Sequence, residues 1–147
     1  MSWLENIDAA SKKMSVKLNY DENEGIVRIS VGDPYILTPS TVEIGIESVN
    51  ISPQRTSIQG WVFDQEKKVA PPALIFADGG TVILVTTKFE KRADIKIKNK
   101  LLNDACGFSV VLNTTKQNSK NLFIFSYNYD TTISILTKIE KEEWRKR

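Results

Sequence analysis

The chain contains no histidine and one cysteine, Cys106, among 147 residues. Without histidine, the Ser-His-Asp and Cys-His nucleophile systems and the common zinc sites are excluded, and Cys106 has no partner thiol. An excess of either charge is also missing. With 20 basic and 18 acidic residues the formal net charge is +2, so no overall field draws the chain to nucleic acid or to an anionic membrane, and any partner must be recognised locally. No apolar run approaches the ~20 residues that cross a bilayer, and the residues from Met1 to Lys13 lack the apolar stretch of a signal peptide. These absences predict a soluble chain without direct membrane insertion, either cytoplasmic or held at the cell envelope through a larger protein.

What is present describes one globular domain. Hydrophobic residues make up 41% and charged residues 26%, a balance that supports a packed core at this length without disulfide or metal. Trp3, Leu4, Ile7 and Ala10 recur at helical spacing after Ser2, a candidate N-cap, and predict a short N-terminal helical extension over 1–13. It would either cap the domain or end a helix from an upstream one. From Met14 the period turns toward alternation, with Val16 and Leu18, then Ile26, Val27, Ile29 and Val31, predicting a hairpin. Tyr35 to Leu37 is a further short run. Val42, Ile44, Ile46, Val49 and Ile51 are spaced for one buried face, with Thr41, Glu43, Glu47 and Asn50 left for water. Further strands are expected at 57–63, 74–77, 82–87, 95–97, 108–112, 122–127 and 132–136. Asp78-Gly79-Gly80 joins two of them as a tight hairpin. Many short strands rich in Val, Ile, Thr and Phe predict an all-β, two-sheet antiparallel sandwich over 14–137. The charged run 138–147 is expected to be a solvated, helix-prone tail anchored by Ile139 and Trp144.

Four groups of residues carry candidate chemistry. Trp61, on an alternating strand, is expected to anchor the core between the sheets. Asp64 and Asp94, beside Arg92, could be drawn as the paired carboxylates of a hydrolase. The stronger expectation is a guanidinium held by two carboxylates, pinning loops at one end of the sandwich. Gly60, Gly79, Gly80 and Gly107 lack phosphate-loop spacing and read as turn or bulge glycines, and Cys106 reads as a small packed side chain. Phe123, Phe125, Tyr127 and Tyr129 alternate along one stretch; the two phenylalanines are assigned to the core. Tyr127 and Tyr129, with Asn128 and Asp130, could form a sugar-stacking platform at the strand's end. No catalytic set, metal site or cofactor is predicted.

The ordered series Gly45-Ile46-Glu47-Ser48-Val49, Gly60-Trp61-Val62-Phe63-Asp64, Pro71-Pro72, Asp78-Gly79-Gly80, Arg92-Ala93-Asp94-Ile95 and Gly107-Phe108 resembles a family. It is similar to the small β-sandwich modules attached to bacterial glycosyltransferases and to membrane proteins of surface-polysaccharide assembly, with the pattern G-x-[ID]-x-V, G-W-x-x-D, R-x-D-V, G-F. Glu47 and Ile95 stand where that family more often has Asp and Val. The resemblance implies an immunoglobulin-like sandwich in which Gly60, Trp61, Asp64, Arg92, Asp94, Gly107 and Phe108 are structural. It also implies a non-catalytic accessory or recognition module of a surface-glycan system, whose partner is a glycan or an associated enzyme or domain. A structural spacer or protein-interaction domain is the alternative.

Overall fold

The computed structural model describes residues 16–21, 26–29, 35–36, 41–79, 81–113 and 121–142. The expected N-terminal helix and the end of the charged tail lie outside the described residues. Within them the chain forms β1 (Val16–Asp21), β2 (Ile26–Ile29), β3 (Tyr35–Ile36), β4 (Val42–Ile51), β5 (Arg55–Asp64), β6 (Ala73–Asp78), β7 (Thr81–Thr86), β8 (Glu90–Lys91), α1 (Ala93–Asn99), β9 (Ala105–Asn113), β10 (Asn121–Tyr127) and β11 (Ile133–Glu140).

The strands form two antiparallel sheets. One is four-stranded, in the order β4-β5-β9-β8; the other is seven-stranded, in the order β11-β10-β6-β7-β1-β2-β3. The connections β5 to β6, β7 to β8 and β9 to β10 cross from one sheet to the other, while β4-β5, β6-β7 and β10-β11 are neighbours within a sheet. Taking β4 as the first strand, this is the A-B-E-D against G-F-C-C′ order of an immunoglobulin-type sandwich. The expected β1-β2 hairpin forms, with Leu18 opposite Ile29, and it extends the second sheet beyond β7.

Alternation on the strands builds the core. Ile58 and Val62 of β5, Phe108, Val110 and Leu112 of β9, Leu74 and Phe76 of β6, Leu122 and Ile124 of β10 and Ile139 of β11 form one buried cluster between the sheets. Phe76 and Phe108 meet edge to face across the layers, with ring centroids 6.1 Å apart. Val42, Ile44, Ile46 and Val49 pack against this cluster. Their spacing skips a beat after Ile46 because Glu47 is an extra residue: Ile46 pairs with Gly60 and Ser48 with Gln59. This β-bulge restores the inward phase and turns the Glu47 side chain outward.

The structure corrects several expectations. Residues 95–97 form part of α1, not a strand. Asp94 in the first turn and Lys96 and Lys98 in the last suit the helix dipole, and of the two isoleucines only Ile95 is buried. Lys100, in the left-handed region at φ 56°, closes the helix. β11 continues through Glu140, so Ile139 and Lys141 belong to the packed domain and not to a solvated tail. Phe125 is fully buried, but on the face of β10 opposite Leu122 and Ile124; Phe123 stands beside it, only partly buried. Trp61 is not between the sheets. It faces outward from the four-stranded sheet, stacked on Phe63 with centroids 5.5 Å apart, in a satellite cluster with Ile95, Leu101 and Cys106.

Candidate functional site

Among the described residues, two arrangements gather the side chains singled out from the sequence. The first lies on the outer face of the four-stranded sheet. Trp61 is flanked in register by Gly45 on β4 and Gly107 on β9. The indole lies so close over Gly45 that a Cβ there would clash with its ring atoms, and a Cβ on Gly107 would stand 2.5 Å from Arg92 Cγ. Both glycines therefore make room for a large side chain crossing the strand, and Gly60 sits between them on the inward side, paired with Phe108.

Arg92, positioned just before α1, donates from Nη1 to Glu47 Oε1 at 2.5 Å and from Nη2 to Glu47 Oε2 at 3.0 Å. Its Nε and Nη2 donate to the two oxygens of Asp94 at 2.9 and 2.8 Å. Two carboxylates thus engage the guanidinium bidentately and tie the β4 bulge to the start of α1. The hydrogen bonds from Arg92 hold Asp94 down to about 2 and Glu47 below the usual carboxylate range, and in turn raise the guanidinium further, Asp94 contributing most. A depressed carboxylate is the opposite of a general acid tuned upward by burial.

The expected pin exists, but with a different partner: Arg92 is held by Glu47 and Asp94, and Asp64 is elsewhere. Asp64 closes the far end of β5. Its Oδ1 accepts from the Glu66 amide at 2.8 Å, the Lys67 amide at 3.1 Å and the Thr41 hydroxyl at 3.0 Å. This organises the loop between β5 and Val69 as an Asx turn. Asp64 and Asp94 are therefore not brought together as a catalytic pair. Cys106 is fully buried, and desolvation pushes its thiol up, away from the reactive thiolate.

The second arrangement is a cleft of about 380 Å³ at this same end of the sandwich, lined by Thr41, Asp64, Glu66, Lys67, Asn128, Tyr129, Asp130 and Thr132. Three of the four platform residues expected from the sequence, Asn128, Tyr129 and Asp130, are on its wall; Tyr127 is not. Tyr129 is 49% exposed, and its hydroxyl donates to the Ala70 carbonyl at 2.7 Å, which fixes the ring. Burial, and next the neighbouring Asp64 carboxylate, push this phenol up. Asp130 Oδ1 accepts from the Thr132 hydroxyl at 2.5 Å and the Thr132 amide at 3.2 Å, and these bonds hold its carboxyl below the usual range.

Asn128 proves to be a turn-builder. Its Oδ1 accepts from Ser126 at 2.7 Å, while Nδ2 donates to Thr132 at 3.0 Å and Ser134 at 2.9 Å. Sequence reasoning missed Thr41, Glu66, Lys67 and Thr132. The usable signals were local: an Asp two and three residues before candidate Asx-turn amides at 66 and 67, and a threonine two residues after Asp130. Nothing local pointed to Thr41, which reaches the site through its place before β4.

Among the described residues, no group of three or more Cys, Asp or Glu side chains is disposed to hold a metal ion, and no helix is long and apolar enough to cross a membrane. In comparisons with family models, curated proteins and solved structures, none matches this chain.

Proposed function

We propose that the chain is a non-catalytic recognition module that binds carbohydrate in its end cleft, in the surface-glycan setting that the sequence resemblance implies. The observation that carries this reading is the Tyr129 ring, tethered through its hydroxyl yet half-exposed on the wall of a polar cleft, next to carboxylates that are only partly bonded within the protein. A pyranose offers an apolar C–H face for such a ring and several hydroxyl donors for such acceptors. A fixed ring also reduces the ordering cost of binding. The test is titration of the full chain with a panel of neutral, basic and acidic oligosaccharides, followed by two-dimensional NMR. Resonances of the β5–β6 and β10–β11 loops should shift, and Tyr129→Ala should weaken binding about tenfold or more, within the range of an aromatic contact of one to three kcal/mol. Absence of binding at millimolar sugar would count decisively against this reading.

A second reading, a protein-interaction domain, draws on Ile97 and Leu102, which are 77% and 74% exposed around the end of α1. Sedimentation of the wild type and of Ile97→Asp/Leu102→Asp distinguishes it: association that disappears in the double variant favours docking at α1, whereas sugar binding should be indifferent to it.

A further inference from the structure

Resting on the carbohydrate reading, we propose that the ligand of the end cleft carries protonated amines, as an amino sugar does, and that the cleft turns acidic glycans away. The wall sets the carboxylates of Asp64, Glu66 and Asp130 against the single ammonium of Lys67. This local imbalance is opposite in sign to the net charge of +2 on the whole chain. Asp64 makes the sharpest demand. It is 6% exposed, its Oδ1 is held by Thr41 and two backbone amides, and its Oδ2 has no hydrogen-bond partner among the described residues although the side chain borders the cleft. A nearly buried carboxylate with one open oxygen favours a donor, and a charged N–H gives a stronger bond than a hydroxyl. A carboxylate or phosphate on the ligand would instead meet like charge on three of the lining side chains.

The neutral side-chain donors of the wall are already committed inside the protein, and the one cationic donor that could welcome an acidic group, the Lys67 ammonium, is outnumbered by three carboxylates. The Asn128 amide hydrogens go to Thr132 and Ser134, and the Tyr129 hydroxyl goes to Ala70. The Tyr129 face that would stack on a sugar also attracts a cation placed over it. Shape, aromatic surface and charge therefore agree on one class of ligand, a sugar rich in hydroxyls and bearing ammonium groups.

The experiment titrates the full chain by calorimetry with a chitosan tetrasaccharide, its fully N-acetylated counterpart and an oligogalacturonate of equal length, at low and at physiological salt. The chitosan oligosaccharide should bind about tenfold or more tightly than the acetylated one, the effect of one charge-assisted hydrogen bond. Its affinity should fall with salt, and the uronate should not bind. Glu66→Gln and Asp130→Asn should each weaken chitosan binding roughly two- to fivefold, and Lys67→Glu should strengthen it by a similar factor. These side chains lie at the surface, so melting curves should confirm that the variants fold. Equal binding of the acetylated sugar, binding of the uronate, or indifference of chitosan binding to all three substitutions would overturn the charge assignment while leaving carbohydrate recognition standing. Failure of every probe to bind would overturn both.

Discussion

Substitution of Lys141 by Met removes the ammonium that lies 2.8 Å from each carboxylate oxygen of Asp78. Asp78 is at the end of β6 remote from the cleft, and both it and Ile139 pair in register with Leu122. The Lys141 side chain thus clamps the outer strands of a three-strand set across β10. Residue exposure is 1% for Asp78 and 5% for Lys141, so the variant leaves a carboxylate in the protein interior with no counter-charge. Removing one partner of a buried pair costs about 3–5 kcal/mol, which for a domain of this size lowers Tm by about 6–20 °C. The pH dependence is also determined. Burial already raises the Asp78 carboxyl above its usual value despite the opposing pull of Lys141; in the variant that pull is gone. A carboxyl with a raised folded pKa penalises the folded state at high pH. The penalty shrinks as pH falls through the folded value and is gone below the unfolded value of about 3.9. Urea unfolding of the wild type, Lys141→Met, Asp78→Asn and the double variant, at neutral and at mildly acid pH, closes a double-mutant cycle. The deficit of Lys141→Met should narrow on acidification, and the double variant should lie well above the sum of the singles. A deficit under about 1 kcal/mol, the range of an exposed pair, or one unchanged by pH would refute the clamp.

Other perturbations test separate parts of the fold. Gly45→Ala places a methyl group within the space of the Trp61 indole and should destabilise by about 1–3 kcal/mol, with a change in tryptophan fluorescence as the ring is displaced. Thr56→Val should stabilise by about 1 kcal/mol in urea unfolding, because the Thr56 hydroxyl is buried without a hydrogen-bond partner among the described residues. For Arg92→Met, the Tm deficit should be full above the ordinary carboxylate range near about pH 4. It should shrink as pH falls toward about 2, where Asp94 finally protonates, since carboxylates with depressed folded values lose their stabilisation in that direction. Asp64→Ala should speed hydrogen exchange at the Glu66 and Lys67 amides, which its Oδ1 holds, and cost about 1 kcal/mol, as loss of a comparable side-chain cap does.

The architecture was legible because burial and strand period coincide. In β9, Phe108, Val110 and Leu112 alternate with exposed Ser109 and Val111, and the sequence displays that rhythm openly. Even the Glu47 bulge left a trace, the three-residue step from Ile46 to Val49. Period failed where few residues decide it. Ile95 and Ile97 alternate like a strand, yet Ile97 is exposed and the segment is short enough for dipole-matched charges and a left-handed cap to make it helical. It failed again at Lys141, whose burial depends on an aspartate 63 positions earlier. Trp61 was read as a structural anchor, but the side of the sheet was misassigned: alternation distinguishes two faces without saying which meets the other sheet. Its neighbours settle the matter, since Ile58 and Val62 belong to the central cluster and Trp61 and Phe63 to the outer one.

The polar groups of this domain differ in how completely the protein itself uses them, and that difference separates scaffold from candidate binding surface. Around Arg92 each of the three guanidinium nitrogens donates to a carboxylate of the same chain, so a ligand there would have to displace bonds as good as those it could form. The same holds for Asn128 and for Asp78 with Lys141. At the end cleft the balance is different: Asp64 and Asp130 are oriented through Oδ1, which fixes their direction and leaves acceptor capacity facing a space large enough for a sugar ring. Orientation without saturation is what a pre-organised site requires, because the rigid half of each group lowers the ordering cost and the open half supplies the attraction. The residues that match the sequence pattern thus divide by physics. Trp61, Arg92 and Asp94 hold the outer face of one sheet together, whereas Asp64 alone of the series borders the cleft and joins the framework to the surface proposed for recognition.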